Sequence, residues 1–282
     1  MITARTRLAG VIGWPVEHSL SPVIHAAGFA SLGVDAVYVA LPVPPGRVAE
    51  ALRGATALGF VGLSVTMPHK ETVATNVDDV DETSRFLRSV NTVIVDGERT
   101  IGRSTDGDGF LSSLSEAEVE PAGCSALVLG AGGAGRAVAA ALARAGARVT
   151  IANRSETSAV DFARELSAAA GRSVEFASWN DVATHAADHD LIVNCTSLGF
   201  SGEGVPPVGV DRLSSRHVVA DIVYHPEATP LLVAAASRGA RTIGGIGMLV
   251  HQAALQEELW FGSMPDVSVM TQSVRRALAG QG

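Results

Sequence analysis

Six small residues at 130–135 have the composition and spacing of a loop that binds phosphate groups. They read Gly-Ala-Gly-Gly-Ala-Gly, after an apolar run at 125–129 that predicts a buried strand and before an alanine-rich stretch at 136–145 that predicts a helix. Glycines in this setting allow a tight turn, so that a pyrophosphate can lie against the helix N-terminus. Turns of this composition also join ordinary strands and helices, but the strand-turn-helix context favours dinucleotide binding.

The strand that follows indicates which dinucleotide is bound. Residues 148–152 predict a strand that ends in Asn153, Arg154 and Ser155, with no carboxylate before Glu156. A carboxylate near this point would hold the ribose 2′-hydroxyl of NAD, whereas an arginine suits the 2′-phosphate of NADP. The alternative is that Arg154 is a solvated loop charge. The sequence therefore favours NADP(H).

Polar residues cluster at three predicted strand ends before the glycine loop. The clusters are His18-Ser19-Leu20-Ser21-Pro22, Ser64-Val65-Thr66-Met67-Pro68-His69-Lys70, and Asn91-Thr92 with the later Thr105-Asp106. A lysine at a helix start opposes the helix dipole, so something other than helix stability accounts for Lys70. The structural alternatives are that Ser21 caps the helix opened by Pro22, and that Asp106 is the N-cap of a helix at 108–114.

An α/β framework must position these residues. In the first region the patterns predict strands at 8–13, 37–41, 62–65, 92–95 and about 99–103, and helices at 22–32, 45–58, 69–74 and 79–87. Asp96-Gly97 predicts a hairpin, and hence a mixed sheet. The middle region continues with helices at 156–170, 180–187 and 228–237 and strands at 173–177, 190–194 and 217–223. This alternation predicts a doubly wound parallel sheet, and a further helix is predicted at 246–259.

Composition limits the class of protein. A chain of 282 residues, 47% hydrophobic and with a mean hydropathy of +0.27, predicts a globular protein with two cores. The net charge of −8 argues against nucleic-acid binding. We find no signal peptide and no apolar stretch long enough for a bilayer, so we expect a cytoplasmic protein with no membrane partner. Cys124 and Cys195 are expected to be reduced thiols.

Taken in chain order, these motifs resemble the shikimate dehydrogenase family. The matching segments are Gly13-x-Pro15-x-x-His18-Ser19-x-Ser21-Pro22, Val65-Thr66-x-Pro68-x-Lys70, Asn91-Thr92, Thr105-Asp106, Gly130 to Gly135, Asn153-Arg154, Asn194-x-Thr196, Asp221-x-Val223-Tyr224-x-Pro226 and Gly247-Met248-Leu249-Val250-x-Gln252. The ordered set, from about residue 9 to 260, is far more specific than any one motif. The resemblance implies an oxidoreductase that reversibly reduces 3-dehydroshikimate to shikimate with NADP(H), in the chorismate route to aromatic amino acids.

The resemblance also implies a division of labour along the chain. Residues 1–107 and 246–282 would form a mixed-sheet α/β substrate domain, to which the C-terminal helices return. Residues 108–245 would form a Rossmann-type NADP domain, with the active site in a cleft between the two domains.

Site residues follow from the same resemblance. Hydride transfer to a ketone creates an alkoxide that needs a proton, and Lys70 is the implied catalytic acid, with Asp106 as its substrate-orienting partner. The implied substrate contacts are Ser19, Ser21, Ser64, Thr66, Asn91, Asp106, Tyr224 and Gln252. The implied cofactor contacts are Gly130, Ala131, Gly132, Gly133, Ala134, Gly135, Asn153, Arg154, Ser155, Thr196, Ile222 and Gly245.

Two departures from the family pattern bear on the substrate. Ser64 and Ser104 stand where most members have asparagine, and each shortens a polar side chain near the expected pocket. The alternatives that we keep are a quinate/shikimate dehydrogenase that uses NAD, and a paralogue acting on an aminated shikimate analogue.

Other classes of protein explain the sequence less well. His185 and His189 have the spacing of zinc ligands, but no glutamate or cysteine partners them in a known pattern, so we expect a solvated helix face and no metal. A non-catalytic dinucleotide-binding regulator would not need Lys70 or Asp106. A methylenetetrahydrofolate dehydrogenase-like enzyme would leave Ser19 and Ser21 unexplained. We expect a monomer or a homodimer.

Overall fold

The structure is a computed structural model that describes residues 2–280, and it divides into two compact units. Unit 1 contains the residues up to Thr105 and those from Val250 onward, and unit 2 is Asp106–Leu249. These bounds fall close to the predicted domain bounds at 107 and 246. The predicted fold class, a mixed-sheet α/β unit and a doubly wound unit, is confirmed.

Unit 1 is built on a six-stranded mixed sheet. Its strands are β1 (Arg7–Gly13), β2 (Ala36–Pro42), β3 (Phe60–Val65), β4 (Asp79–Val80), β5 (Thr92–Asp96) and β6 (Arg99–Arg103), in the order β2-β1-β3-β5-β6-β4. The three pairs β1–β2, β1–β3 and β4–β6 are parallel, and β5 is antiparallel to both neighbours. The antiparallel pairing of β5 with β6 is the one that the hairpin turn predicts. Its helices are α1 (Ser21–Leu32), α2 (Val48–Ala57), α3 (Lys70–Ala74) and α4 (Glu82–Leu87).

Unit 2 is built on a six-stranded parallel sheet covered by helices. The helices are α5 (Asp106–Glu116), α6 (Gly133–Arg144), α7 (Glu156–Ala170), α8 (Val182–Asp188) and α9 (Pro230–Ser237). The strands are β7 (Ser125–Leu129), β8 (Arg148–Asn153), β9 (Glu175–Ser178), β10 (Leu191–Asn194), β11 (Val218–Asp221) and β12 (Arg241–Ile243). The strands lie in the order β12-β11-β10-β7-β8-β9, so successive connections run outward in opposite directions from the adjacent pair β7 and β10. Sheets of this kind bind their ligands at the point where the strand order reverses.

Two helices complete the chain. Helix α10 (Gly245–Phe261) begins within unit 2 and continues into unit 1, and α11 (Val267–Ala279) packs against α1 within unit 1. Across residues 2–280, no helix is both long and apolar enough to cross a bilayer.

Each unit buries its own apolar core. The core of unit 1 includes Ile12, Leu63 and Val93, and that of unit 2 includes Leu127 and Ile192. Apolar side chains on both faces of the parallel strands account for the continuous apolar runs in the sequence.

The structure differs from the predicted elements mainly at helix starts. The helix predicted at 79–87 begins only at Glu82, because the Asp81 carboxylate accepts a hydrogen bond from Ser84 N (2.8 Å) and so caps the helix there. The preceding residues, Asp79 and Val80, pair instead with β6. The short strand β12 is absent from the predicted elements, since three residues carry too little periodicity.

Candidate functional site

The loop between β1 and α1 positions Ser19 and Ser21. The Ser19 hydroxyl accepts a hydrogen bond from Ser21 N (3.2 Å), which holds the two serines in a compact turn. Leu20 occupies the N-cap position and Ser21 is the first helical residue, so Ser21 is not the cap of α1. Its hydroxyl instead lies within hydrogen-bonding reach of Tyr38 on β2. Both serines are half-buried and therefore accessible to a small ligand.

The loop between β3 and α3 positions Thr66 and Lys70. Thr66 N donates to Ile12 O (3.0 Å), which ties this loop to the end of β1. The buried His69 ring contacts Val43 O through Nε2 (2.6 Å), and Lys70, half-buried, begins α3. The Lys70 carbonyl accepts from Val90 N (3.0 Å). The lysine backbone is therefore held directly beside the residue that precedes Asn91.

Asn91 lies at the centre of a hydrogen-bonded polar cluster. Its Oδ1 accepts from Thr105 N (2.8 Å) and Thr92 Oγ1 (2.8 Å). Its Nδ2 donates to Thr105 Oγ1 (2.9 Å) and to Gln252 Oε1 (3.3 Å). The cluster brings the predicted substrate contacts Asn91 and Gln252 together, although 161 positions separate them. Helix α10 therefore carries Gln252 within unit 1.

Asp106 follows this cluster directly in the chain. It is the first residue of α5 and its side chain is buried, with 5% exposure. The helix predicted at 108–114 thus begins two residues earlier, so Asp106 is not the residue that precedes it. The adjacent Thr105 is fixed by Asn91 and donates from Oγ1 to Gln252 O (3.0 Å).

A second set of polar residues, beside the Asn91 cluster, was missed by the sequence analysis. Tyr38 OH donates to Ser64 Oγ (2.6 Å), and Ser64 Oγ donates to Gln256 Oε1 (2.5 Å). Burial raises the pKa of Tyr38, so the phenol keeps its proton. Ser64 is the only one of the three among the predicted contacts. The signal for Gln256 is its spacing, since it lies four residues after Gln252 on the same helix face.

The glycine loop of unit 2 has the form of a phosphate cradle. Gly130 has a φ of +104°, and a Cβ there would lie 3.0 Å from Cys195 O. A Cβ on Gly135 would overlap the Gly130 carbonyl, so the helix packs closely against the loop. Gly132 precedes the first residue of α6, and a Cβ there would enter open space. Open space at a helix N-terminus is what a bound pyrophosphate requires.

The end of β8 lies beside the glycine loop. Asn153 Oδ1 accepts from Ala131 N (3.3 Å), and its Nδ2 donates to Ser155 O (3.0 Å). Arg154 is exposed, and Glu156 accepts a hydrogen bond from Ser178 Oγ (2.9 Å). The carboxylate nearest to this strand end is therefore engaged by β9, whereas the guanidinium is exposed to solvent. These residues fit a cofactor with a 2′-phosphate.

The ends of β10 and β11 form a third polar network, around the buried Asp221. Its Oδ1 accepts from Asn194 Nδ2 (2.9 Å) and Val223 N (3.1 Å), and its Oδ2 accepts from Thr229 Oγ1 (2.8 Å). Burial raises the pKa of this carboxyl, although these hydrogen bonds oppose the shift. Thr196 N and Oγ1 both donate to Asn194 Oδ1 (3.1 and 2.7 Å). The network thereby fixes the loop that carries Thr196.

Three further predicted contacts lie on the segments that follow β11. Ile222 N donates to Asn194 O (3.0 Å), and a Cβ on Gly245 would overlap the Ile222 carbonyl. Gly245 thus lies in direct backbone contact with Ile222 in unit 2. Tyr224 is half-buried, and burial raises the pKa of its phenol.

The ring of His189 and both cysteine thiols are surrounded by other groups of the protein. His189 contacts His185 O through Nδ1 (2.6 Å) and Thr150 Oγ1 through Nε2 (2.8 Å), so its ring is engaged by the protein rather than simply solvated. In the described part of the chain, residues 2–280, no group of three or more His, Cys, Asp or Glu side chains is arranged to hold a metal ion. Burial raises the pKa of both thiols, Cys124 and Cys195.

Comparisons with known proteins agree with this geometry. Family models match at residues 11–93 (shikimate dehydrogenase substrate binding domain), 113–199 (shikimate / quinate 5-dehydrogenase) and 245–275 (shikimate 5'-dehydrogenase C-terminal domain). The shikimate dehydrogenase (NADP(+)) of Symbiobacterium thermophilum is 45% identical, over 98% of this chain and 96% of the relative.

Two solved structures have the same fold over nearly the whole chain. A shikimate dehydrogenase in complex with NADP+ is 35% identical, with a TM-score of 0.93 over 99% of this chain and 98% of that one. The shikimate 5-dehydrogenase of Thermus thermophilus, in complex with NADP(H) and shikimate, is 33% identical, with a TM-score of 0.89 over 97% and 100%. The chain belongs to the shikimate dehydrogenase family.

Proposed function

We propose that this chain catalyses the reversible, NADP-dependent reduction of 3-dehydroshikimate to shikimate, a step of chorismate and aromatic amino acid biosynthesis. The observation that carries the proposal is the Asn91–Gln252 contact (3.3 Å) beside the backbone of Lys70. It assembles neutral amide donors and a lysine from three distant parts of the sequence. Full-length relatives that are named for this activity support the same assignment.

Lys70 and Asp106 have the catalytic roles in this proposal. NADPH, when bound, supplies the hydride that reduces the ketone carbon. The Lys70 ammonium donates a proton from Nζ to the developing alkoxide oxygen, and in the reverse direction neutral Nζ accepts the hydroxyl proton. Asp106 accepts a hydrogen bond from the substrate and orients it toward Lys70.

Neutral donors hold the substrate. The hydroxyls of Ser19, Ser21 and Tyr224 suit the carboxylate of shikimate, while the amides of Asn91 and Gln252 suit its ring hydroxyls. The Thr66 hydroxyl completes the donors, and Ser64 Oγ offers the substrate a lone pair. Neutral hydroxyls and amides avoid placing a further cation beside Lys70.

The glycine loop and the end of β8 hold the cofactor. Residues 130–135 accommodate the pyrophosphate at the N-terminus of α6, and Asn153, Arg154 and Ser155 bind the 2′-phosphate end. Thr196, Ile222 and Gly245 border the nicotinamide end. The proposal includes a cytoplasmic location, consistent with two free cysteines, because thiols stay reduced in that compartment.

Quinate is the second candidate substrate. The family model that matches residues 113–199 is named for both shikimate and quinate. Ser64, which stands in place of the usual asparagine, donates its one proton to Gln256, so it offers a substrate only a lone pair. A pocket with one donor fewer accommodates a change in ring substituents more easily.

The test is oxidation of shikimate and of quinate, each with NADP+ and with NAD+, followed by the absorbance of the reduced cofactor. We expect the highest kcat/KM for shikimate with NADP+. A preference for quinate or NAD+ would replace the substrate or cofactor assignment and keep the Lys70 chemistry. NADP+ binding without turnover of either acid would indicate a dinucleotide-binding regulator.

A further inference from the structure

We infer that Gln256 is a positioning residue that sets substrate specificity by fixing the side-chain amide of Gln252 with its nitrogen as the donor toward the substrate. The inference rests on the proposed function, because it assigns a role within the same substrate site. Gln256 itself is buried, with 1% exposure, and acts through Gln252.

Backbone groups fix the orientation of the Gln256 amide. Its Nε2 lies 3.2 Å from the carbonyl oxygen of Asn91, which can only accept a hydrogen bond. Its Oε1 accepts from the hydroxyl of Ser64 (2.5 Å), and Ser64 Oγ in turn accepts from the Tyr38 hydroxyl. A flipped Gln256 amide would place its oxygen against the Asn91 carbonyl oxygen and lose that hydrogen bond. Nε2 is therefore a donor, and it lies 3.1 Å from Gln252 Oε1.

A second, independent anchor fixes the Asn91 amide. Thr105 N can only donate, and it contacts Asn91 Oδ1 (2.8 Å). Asn91 Nδ2 is thereby a donor to Gln252 Oε1 (3.3 Å). Two amide nitrogens, each set by a backbone group, thus converge on the oxygen of Gln252. Flipping Gln252 would oppose donors to donors, so its Oε1 is fixed as the acceptor of these two bonds and its Nε2 as a donor.

This polarity selects a class of substrate. A hydroxyl or carbonyl oxygen on the ring accepts a hydrogen bond from Gln252 Nε2, whereas a protonated amine at the same ring position has only donors to offer. The site therefore accepts the hydroxylated acid and rejects the analogue that carries an ammonium group opposite Gln252. The hydrogen bonds of this cluster therefore argue against an aminated shikimate analogue as the substrate.

The test is a double-mutant cycle that combines Gln256→Met with Gln252→Ala. Gln256→Met keeps the side-chain length and removes the donor to Gln252, so we expect the KM for shikimate to rise about three- to tenfold, the effect of losing one ordinary hydrogen bond. The KM for NADP+ should not change. In the Gln252→Ala background, Gln256→Met should have no further effect on the KM for shikimate, because the group that it positions is absent. Independent, multiplicative effects would overturn the inference.

Three controls separate positioning from folding. Glu258→Gln changes an exposed residue on the same helix and should leave both KM values unchanged. Gln256→Glu, nearly isosteric, keeps an acceptor for Ser64 but has no N–H for Gln252, and should reproduce the rise in KM if Gln256→Met fails to fold. Both Gln256 variants should also narrow the kcat/KM preference for shikimate over its ring-amino analogues. An unchanged preference would count against the specificity role.

A measurement without substrate keeps the inference separate from the proposed function. In the ¹⁵N-labelled unliganded protein, we expect the Gln252 side-chain amide protons to give one dispersed, well-resolved pair of resonances. In Gln256→Met, this pair should shift toward the values of a solvent-exposed glutamine and broaden. Identical resonances in both proteins would overturn the inference, even if the wild-type chain oxidised neither shikimate nor quinate.

Discussion

In unit 1 the polar site residues hold one another through their side chains, whereas in unit 2 backbone shape provides much of the site. The amides of Asn91 and Gln256, each oriented by a backbone group, together fix the orientation of the Gln252 amide. The phosphate cradle instead depends on Gly130 and Gly135, where a Cβ would approach or overlap a carbonyl oxygen. A side-chain relay can be retuned by one substitution, while a backbone cradle tolerates few. The difference suits a variable substrate and an invariant cofactor phosphate.

The buried carboxyls of the two units also differ in the hydrogen bonds that they accept. Asp221 accepts hydrogen bonds from three donors. Glu257 Oε1 lies 2.9 Å from His25 Nδ1, and within residues 2–280 the Oε2 of Glu257 has no hydrogen-bond partner. Burial raises the pKa of Glu257 to about 9 and lowers the pKa of His25 to about 3. The pair is therefore a protonated carboxyl beside a neutral imidazole. Its contribution to the free energy of unfolding consequently changes with pH.

Among the substitutions that distinguish the site residues of unit 1 from those of unit 2, Lys70→Ala should have the largest effect. Without the ammonium, the alkoxide lacks its proton donor, so kcat should fall by roughly 10²–10⁴ while the Kd for NADP+ is retained. Steady-state rates and a calorimetric titration with NADP+ measure the two quantities. Glu71→Gln, an exposed neighbour on α3, should keep wild-type kcat. Wild-type turnover in Lys70→Ala would remove the acid–base assignment.

A smaller effect should appear in the pH dependence of stability. Between the ordinary value of 4.5 and about 9, folded Glu257 holds a proton that the unfolded chain releases, so the free energy of unfolding falls as pH rises. Between about 3 and the ordinary value of 6.5, folded His25 lacks a proton that the unfolded chain binds, so stability rises with pH. The two slopes cancel between pH 4.5 and 6.5, so the net loss runs from 6.5 to about 9.

Glu257→Gln should remove this alkaline loss, which is on the order of 3 kcal/mol for one proton over that interval. Urea unfolding of the wild type and the variant at pH 6.5 and 9 measures the difference between their slopes. Glu258→Gln, exposed on the same helix, should follow the wild type. Parallel pH curves for Glu257→Gln and the wild type would show that Glu257 is already ionised in the folded protein.

The smallest effect concerns cofactor choice. Arg154→Ala should weaken NADP+ binding by about 10- to 150-fold and leave NAD+ binding unchanged, because only NADP+ carries the 2′-phosphate. Calorimetric titration with each cofactor measures both constants. Arg164→Ala, which removes an exposed arginine paired with Asp161 on α7, should alter neither. Equal losses for the two cofactors would disprove the 2′-phosphate contact.

The features that could be predicted from the sequence also differ between the parts of the site shaped by the backbone and the parts formed by side chains. The glycine loop could be predicted from the sequence because only glycine satisfies its geometry. The end of β8 could be predicted from the spacing of the strands. Lys70, Asn91 and Gln252 were identified from ordered motifs, and the structure brings Asn91 and Gln252 into contact.

Tyr38, His25 and Gln256 were missed, since their contacts join β2, α1 and α10. Such pairings depend on tertiary packing across more than 190 positions in the case of Ser64 and Gln256. The helical spacing of Gln256 from Gln252 was a usable signal, but a buried glutamine is rare enough that the pattern alone favours solvent.

The short contact between Ser64 and Gln256 has an evolutionary consequence. Ser64 Oγ and Gln256 Oε1 lie 2.5 Å apart, so a substitution at either position changes the surroundings of the other. Gln256→Glu keeps an acceptor for the Ser64 hydroxyl, whereas Gln256→Met removes it, so the effect of a substitution at position 64 should depend on the residue at position 256. Mutational paths between substrate preferences in this protein should therefore depend on the order in which positions 64 and 256 change.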